Sequence, residues 1–390
     1  MHQLSHSKPL RIALVGTRGV PARYGGFETA VEEVGQRLAA LGHDVVVYCR
    51  TTEGAEAETE YKGMRLVHLP ALKKRSLETL SHTGLSAGHL FFRRPDVAIV
   101  FNSANSPWLP VLRAAGIPVA THVDGLEWKR AKWGTVGKRY YRVAESLAVR
   151  WSDALIADAA GIQDYYRAEF GVESTYLAYG APILEGGASD RLAEMDLEPG
   201  RYHLVVARFE PENHVHVIVE GYVRSEATLP LVVVGLAPYA DEYTRRIESL
   251  GDRRVRFVGG IWDQELLDQL YANARIYWHG HSVGGTNPSL LRAMGAGVAT
   301  NAFDVNFNRE VLGSNGEYFS GPADIPDLVH ASEASESDTV LRGKKSQTDA
   351  LAYDWDRVAE GYEQLCAELA GRRGARGRRS GAFPLDRAGS

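Results

Sequence analysis

The sequence is poor in cysteine and has no long apolar run. The only cysteines among its 390 residues are Cys49 and Cys366. Two thiols so far apart in sequence fit a reducing compartment better than a secreted scaffold held by disulfides. The N-terminal MHQLSHSKPL lacks the apolar stretch of a signal peptide. No segment approaches the roughly 20 apolar residues that span a bilayer. We therefore expect a cytoplasmic protein.

An excess of basic residues is also lacking. Lys and Arg total 44 against 49 Asp and Glu, for a net charge of −5, so overall electrostatics give no support to a nucleic-acid partner. The local exception is the Gly- and Arg-rich segment 371–390, which we expect to be a basic disordered tail. This tail either only keeps the protein soluble or is weakly attracted to anionic lipid, at about 1 kcal/mol per basic residue. The second alternative makes the protein peripheral at the inner face of the plasma membrane.

The length and the hydrophobic pattern predict two α/β domains. Short β-branched runs alternate with longer amphipathic segments, which is typical of βα units around parallel sheets. The first set of predicted strands is 11–16, 44–48, 65–69, 96–100, 118–121 and 154–157, and the second is 203–207, 231–235, 255–258, 276–278 and 298–300. Two facing Rossmann-like domains would create a cleft at the carboxyl ends of both sheets.

These patterns give a division of the chain into four parts. Residues 1–185 form the first domain and 186–350 the second, beginning with a Gly- and acid-rich linker at 185–199 and ending in a polar loop at 344–350. Residues 351–370 carry an amphipathic terminal helix, which we expect to pack back toward the first domain. The tail 371–390 completes the chain.

The first constellation of candidate site residues follows the first strand and opens the first helix. It reads GTRGVPARYGGFE from Gly16 to Glu28, and its candidates for a phosphate or acceptor loop are Gly19, Gly25, Gly26 and Glu28. Glycines let the backbone approach a ligand, and the N–H groups of a helix start favour an anion or a polar sugar. The spacing differs from the dinucleotide fingerprint G-x-G-x-x-G, which argues against a nicotinamide enzyme.

The second constellation lies at strand ends of the first domain. His122 and Asp124 follow one strand and Asp158 follows another, where each could orient an acceptor hydroxyl or accept its proton. Trp128 offers a face on which a sugar stacks, while Lys129 and Arg130 suit phosphate. Tyr179 follows the next strand toward the same cleft. The alternative is structural, with the aspartates capping helices and the tryptophans anchoring a loop.

The third constellation, HGHSVGGTNPSLLR, joins a strand of the second domain to a helix. Backbone and side-chain donors that suit a nucleotide diphosphate come from Gly284, Gly285, Thr286 and Asn287, and Pro288 or Ser289 starts the helix. Arg208, at the end of that domain's first strand, adds a positive charge at the same edge. A capped helix start after a flexible loop is the structural alternative.

Taken together, five motifs resemble bacterial group 4 glycosyltransferases with a rhamnosyltransferase-type N-terminal domain. They are GTRGVPARYGGFET, VDGLEWKRAKWG, ARFEPENH, HGHSVGGTNPSLL and FNREVLG, and the resemblance runs from about residue 10 to 370. It implies a GT-B enzyme of the retaining class that needs no metal or other cofactor. The nucleotide-sugar donor binds the second domain, and the glycan or lipid-linked acceptor binds mainly the first. Such enzymes add rhamnose or another hexose to cell-surface polysaccharide precursors.

The resemblance also assigns individual residues in the donor site. It makes Arg208 a diphosphate contact, surrounds the donor with Gly284–Ser289 and places Glu310 near it, with Arg309 a candidate for a missing phosphate contact.

Three positions depart from the wider group. Gly284 and Arg292 stand where the wider group has Glu-x7-Glu, whose second acid holds the ribose, and Asn213 stands where many relatives have a phosphate-binding lysine. These departures keep two alternatives open, a noncatalytic nucleotide-sugar-binding subunit and, from the shared architecture, a nucleotide-sugar epimerase.

Overall fold

The computed structural model describes residues 8–22, 25–51, 58–72, 77–123, 125–130, 133–184, 187–236 and 241–380. They form two α/β domains, each built on a sheet whose strands are almost all parallel. The predicted class, two Rossmann-like domains around a central cleft, is confirmed.

The first domain holds an eight-stranded sheet with helices on both faces. Its strands are β1 Arg11–Val15, β2 Asp44–Arg50, β3 Glu60–Tyr61, β4 Met64–Leu69, β5 Val97–Phe101, β6 Val119–His122, β7 Ala154–Ala157 and β8 Thr175–Tyr176. Its helices are α1 Gly26–Ala40, α2 Glu78–Arg93, α3 Leu109–Ala114, α4 Thr135–Trp151 and α5 Ala160–Phe170. The strand order is β3-β4-β2-β1-β5-β6-β7-β8, and β3 pairs antiparallel with β4. All five residues of β5 are buried, as expected for a parallel strand covered on both faces.

The second domain holds a six-stranded parallel sheet. Its strands are β9 His203–Val206, β10 Leu231–Val234, β11 Val255–Gly259, β12 Ile276–His279, β13 Thr300–Phe303 and β14 Glu317–Phe319. The helices of this half are α6 Val215–Arg224, α7 Asp241–Leu250, α8 Gln264–Ala272, α9 Pro288–Gly295, α10 Asn306–Leu312, α11 Ile325–Ala334 and α12 Glu336–Ala350, and α13 Trp355–Ser380 follows them. The order β11-β10-β9-β12-β13-β14 reverses direction between β9 and β12, which is where ligands bind in such sheets.

Several short elements, such as β3 and β14, were not predicted, and two segments that were expected to be a loop and a disordered tail are helical. Residues 344–350, expected to be a loop, form the last part of α12. The buried positions of this helix are small or hydroxyl-bearing, Thr339, Gly343, Ser346 and Ala350, so it packs closely without an apolar stripe. A Cβ on Gly343 would lie 2.0 Å from the carbonyl oxygen of Gly297, which shows how near the two backbones approach.

The tail also begins differently from the expectation. Residues 371–380, expected to be disordered, continue α13 to Ser380. Five of these ten residues are arginines, which favour a helix and offset the three glycines once the earlier turns are docked. The remaining expected tail, 381–390, lies outside the described residues.

Helix α13 leaves the second domain and packs on the first. Trp355, Tyr362 and Leu365 join the same buried cluster as Ile12 and Leu14 of β1. Arg37 of α1 donates to a carboxylate oxygen of α13 at 2.6 Å, which fixes the polar edge of this contact. None of the described helices is long and apolar enough to cross a membrane.

Candidate active site

A cleft of about 2200 Å³ lies between the two domains. It is lined by loops that follow β1, β2, β5, β6 and β7 of the first sheet and β9, β10, β11 and β12 of the second. The carboxyl ends of parallel strands meet at one edge of each sheet, and both edges face this cleft. The volume exceeds the ~300–1,000 Å³ of a pocket for one small ligand, so two substrates have room to meet.

Most sequence-predicted site residues line the cleft. They are Gly19, Gly25, Gly26, Glu28, Arg130, Asp158, Tyr179, Arg208, Gly284, Gly285, Thr286, Asn287, Pro288, Ser289 and Arg292. The candidates that the structure places away from the cleft lining are His122, Trp128, Lys129, Arg309 and Glu310. Asp124 lies outside the described residues.

The glycine-rich loop of the first domain is pressed against the sheet. Gly19 has φ +104°, and a Cβ there would lie 2.5 Å from Cys49 Sγ, so only glycine fits. Helix α1 begins after Gly25, which has no side chain to cap the N–H groups at the start of the helix. A Cβ on Gly26 would lie 3.3 Å from Tyr179 and from Pro288 of the second domain. The start of α1 therefore faces the cleft where the domains approach, and its ligand role remains a prediction.

His122 is packed inside the first domain and is not presented to the cleft. Its side chain is 1% exposed, and its ring lies edge-to-face against Phe27, Phe101, Tyr179 and Tyr362, at centroid distances of 5.1 to 6.4 Å. Neither ring nitrogen has a hydrogen-bond partner among the described residues. Burial lowers the pKa of His122 to about 3, so the imidazole is neutral near pH 7. The sequence placed His122 at the right strand end but on the wrong face.

We expect His122→Phe to remain folded and active, because phenylalanine fills the same aromatic cluster without a buried unpaired nitrogen. In the wild type, the unfolded chain takes up a proton below about pH 6.5, whereas folded His122 does so only near pH 3. The free energy of unfolding should therefore fall for the wild type, relative to the variant, by about 2 kcal/mol between pH 7 and 5. Urea unfolding at the two pH values measures this. A large loss of transfer activity in the variant would instead assign His122 a polar role.

Asp158 lies at the contact between the domains. Its side chain is buried, at 4% exposure, and its Oδ1 has no hydrogen-bond partner among the described residues. Burial, aided by the charge of Glu310, raises the pKa of Asp158 to about 7. A Cβ on Gly285 would lie 2.0 Å from this oxygen, and Thr286 Oγ1 donates to the Asp158 carbonyl at 2.6 Å. Asp158 is thus a buried carboxyl group with a raised pKa beside the second-domain loop, and such groups are common in functional sites.

Arg130 joins the two domains through carboxylates. In its own domain it forms an ion pair with Glu127. Across the cleft its Nη1 lies 3.6 Å from Glu210 Oε2 and 3.5 Å from Glu212 Oε1. Glu210 in turn approaches Arg208 Nη1 at 3.7 Å. Arg130 was predicted to bind the acceptor, and the structure gives it an interdomain role beside the candidate phosphate contact.

The second-domain loop leads into a helix whose start opens toward the cleft. Asn287 caps α9 by accepting from Ser289 N at 2.9 Å, and Pro288 takes the first helical position. Gly284 has φ +136° and lies close to the first domain. A Cβ built on Gly125 of that domain would come within 2.3 Å of the carbonyl carbon of Gly284. The remaining N–H groups and the helix dipole favour an anion at this point.

The substituted position Arg292 lies in the donor half of the cleft. Its Nη1 contacts Asp268 Oδ1 in an ion pair. An arginine only donates hydrogen bonds, so it cannot accept from sugar hydroxyls as a glutamate would. The departure from the wider group is therefore a change of chemistry within the cleft. Asn213 is buried and donates to the Arg208 carbonyl at 2.8 Å, so it supports the loop that presents Arg208.

Arg309 and Glu310, both candidates for donor contacts, lie outside the cleft lining and make structural contacts there. Arg309 pairs with Asp304 at 2.8 Å and lies over the ring of Tyr318 at 4.1 Å. Glu310 accepts from Ala160 N at 2.9 Å, at the start of the first-domain helix α5. The physical reason is that α10 lies against α5, so the carboxylate satisfies helix N–H groups across the domain contact.

Trp128 and Lys129 lie beside the cleft and do not line it. The Trp128 ring is approached by Lys129 Nζ at 5.5 Å and by the Arg142 guanidinium at 5.0 Å. These cation–π contacts hold the segment against α4. The alternative reading of the tryptophan as a loop anchor therefore fits Trp128 better than stacking on a sugar.

Sequence reasoning missed several titratable residues of the cleft. Arg18, Arg50 and Glu78 line its first-domain half, and Glu210 and His281 line the second. Arg18 lies within the glycine-rich motif, and Arg50 ends β2, so position at a strand's carboxyl end was the available signal. Among the described residues, no group of three or more His, Cys, Asp and Glu could hold a metal ion.

Comparisons with known proteins agree with this architecture. Residues 25–179 match the family of glycosyl transferase 4-like domains, and residues 196–348 match the glycosyl transferases group 1 family. A glycogen synthase of Mycobacterium tuberculosis is 24% identical over 405 residues, covering 94% of this chain and 96% of that protein.

Solved structures show the same fold. Sucrose-phosphate synthase from Thermosynechococcus elongatus has a TM-score of 0.80 at 20% identity, covering 93% of this chain and 100% of the other. Anabaena HepE in complex with UDP has a TM-score of 0.73 at 15% identity, covering 92% and 100%.

Proposed function

The chain is a glycosyltransferase of the GT-B type, with a glycosyl transferase 4-like domain followed by a group 1 domain, and from this premise we propose its reaction. It transfers a hexose, with rhamnose the favoured sugar, from a nucleotide-sugar donor to a hydroxyl of a glycan or lipid-linked acceptor. The observation that carries this proposal is the cleft where the start of α9 and Arg208 face the first domain.

The donor half of the cleft suits a nucleoside diphosphate. Arg208 and the start of α9 both line this half of the cleft. A cation and a helix N-terminus together stabilise the negative charge that grows on a departing diphosphate. HepE was solved with UDP in this fold, which supports a nucleotide donor here.

The acceptor half of the cleft suits a polyhydroxylated substrate. Glu28, Tyr140, Trp133 and Asn102 line it together with the start of α1. Aromatic faces and carboxylate or amide groups recognise sugars by stacking and hydrogen bonding. We therefore assign the first domain to the acceptor.

The reaction proceeds by a retaining mechanism in this proposal. Domain closure excludes water, because hydrolysis of the activated sugar competes with transfer. The bond from the anomeric carbon to the diphosphate breaks, the acceptor oxygen bonds to that carbon on the same face, and the departing phosphate takes the acceptor proton. Asp158, buried beside Gly285, orients the acceptor hydroxyl or stabilises the positive charge on the sugar. No metal takes part.

The lipid-linked acceptor implies work at the inner face of the plasma membrane. The basic composition of residues 371–390 supports a weak electrostatic contact with anionic lipid there. This localisation and the polysaccharide pathway rest on the resemblance and on the tail's charge.

A donor panel tests the function directly. We expect one of dTDP-rhamnose, UDP-glucose, UDP-N-acetylglucosamine and GDP-mannose to raise the melting temperature and to bind in calorimetry, because the cleft grips the diphosphate. Arg208→Gln should weaken that binding by about tenfold or more, since a charge-assisted contact contributes ~1.5–3 kcal/mol. Sugar transfer to a lipid-linked acceptor is then followed by mass spectrometry.

The outcomes of the panel separate the candidate functions. Binding without transfer or turnover would favour a noncatalytic subunit. Conversion of the donor to its epimer without acceptor would favour an epimerase. Absence of binding by every donor of the panel would contradict the proposed donor class.

A further inference from the structure

A second cationic cluster lies in the cleft, on the first domain. Arg18 follows β1 and Arg50 ends β2, and these neighbouring strands bring both guanidinium groups to the same sheet edge. The backbone N–H of Arg50 donates to the Arg18 carbonyl at 3.0 Å, which fixes the two residues side by side. The proposed donor contacts Arg208 and α9 belong to the opposite wall.

The two arginines share one carboxylate. Arg50 Nη1 lies 3.0 Å from Glu78 Oε1, and Arg18 Nη2 lies 4.0 Å from Glu78 Oε2. Arg50 Nη2 also donates to Thr79 Oγ1 at 2.7 Å. One carboxylate bridging two guanidinium groups occupies the place that a ligand's oxyanion would take, because both present the same charge and oxygen geometry.

The buried arginine retains unused donor capacity. Its side chain is only 10% exposed, yet Arg50 Nε is buried and has no hydrogen-bond partner among the described residues. Burial and the like charge of Arg18 lower the pKa of Arg50, and Glu78 and Glu28 oppose that effect. A buried donor without an acceptor is costly, and an entering anion would supply one.

The other nearby carboxylate has a different task. Glu28 Oε1 accepts from the backbone N–H of Arg18 at 3.1 Å, within the turn that starts α1. It fixes the loop that carries Arg18, whereas Glu78 faces the guanidinium groups themselves. Glu78 is also the more open carboxylate, with a side chain 35% exposed, so it is the group that a ligand can displace.

We propose that Arg18 and Arg50 form a binding site for an oxyanion carried by the acceptor, and that Glu78 holds this site when it is empty. The inference rests on the proposed function, because it names the class of acceptor for the same cleft. The acceptor is an anionic sugar compound that bears a phosphate, a diphosphate or a carboxylate. On binding, the anion takes over the guanidinium contacts of Glu78, and no covalent bond changes.

Inorganic phosphate is the probe that tests the site without a donor sugar. A ³¹P NMR titration compares the full-length wild type with Arg18→Gln, Glu78→Gln and Arg208→Gln, each checked for folding by circular dichroism. We expect Arg18→Gln to weaken the first-domain phosphate site by about tenfold or more. Glu78→Gln should tighten it, because the competing charge is removed while the shape is kept. Arg208→Gln should leave this site intact.

Competition then identifies the source of the anion. Glucose 6-phosphate, glucuronate and geranyl diphosphate are each tested for displacement of the bound phosphate, with glucose as the neutral control. Displacement by any of the three supports the proposal and names the kind of acceptor.

Three results would overturn the proposal. They are phosphate binding that Arg18→Gln leaves unchanged, weaker binding in Glu78→Gln, and phosphate that none of the three anions displaces. The phosphate titration is independent of the donor panel. If no donor of the panel binds but phosphate binds at Arg18 and Arg50, only the assignment of the donor is rejected.

Discussion

Gly285→Ala is expected to lower the rate of sugar transfer by about 100-fold while the protein stays folded. The added Cβ would stand 2.0 Å from Asp158 Oδ1, so either the carboxyl group or the second-domain loop must move. A displacement on the order of 1 Å at a reacting centre costs about this much in rate. Overpacking itself costs about 1–3 kcal/mol of folding free energy. Steady-state transfer kinetics and thermal unfolding measure the two effects separately.

Gly321→Ala is the matched control for this substitution. A Cβ on Gly321 meets nothing within 4 Å, so activity and stability should remain at the wild-type level. The double variant Gly285→Ala/Asp158→Ala should be as stable as the single variant Asp158→Ala, because the carboxyl group that the new Cβ would meet is then absent. Full activity in Gly285→Ala would show that Asp158 can move without harm to catalysis.

Arg130→Met is expected to open the cleft and to reduce kcat/KM by about 100-fold. Methionine keeps the aliphatic stem but removes the charge that draws Glu210 and Glu212 toward the first domain. Breaking one member of a buried ion network costs about 3–5 kcal/mol, because the remaining charges lose their partner. A radius of gyration larger than that of the wild type in small-angle X-ray scattering would report the opening. Arg130→Lys should recover part of the activity.

Arg167→Ala provides the comparison for Arg130→Met. Arg167 also contacts two carboxylates, Asp164 and Glu173, but it does so on the open surface of one domain. Exposed ion pairs contribute little because water screens them, so shape and rate should not change. If Arg130→Met proved as compact and as active as the wild type, Arg130 would not be what holds the domains together.

The central strands of both sheets were predictable because they are buried almost throughout, whereas the short edge strands β3 and β14 were not predicted. Residues such as VAIVF in β5 and LVVV in β10 are buried throughout, and continuous apolar runs identify parallel strands. The same uniformity hides which face a strand-end residue occupies. His122 was therefore located at the right strand end, while its side chain proved to lie within the aromatic cluster.

Contacts between the domains were beyond the reach of the sequence. Arg130 and Glu212, or Glu310 and Ala160, meet only because two separately folded sheets face each other. Local spacing carries no information on such pairs. The glycine-rich loops could be recognised because glycine is required locally, as Gly19 shows by its φ of +104°. The charged residues of the cleft carried only the weaker signal of their position at strand ends.

The return of α13 makes the N-terminal domain discontinuous in the chain. Its core lacks Trp355, Tyr362 and Leu365 until the second domain, which precedes them in the chain, has been synthesised. Contacts between residues so distant in sequence slow folding, because a long loop must close before they form. The two halves are consequently not interchangeable modules. A chimaera that exchanges the first domain must bring its own C-terminal helix with it.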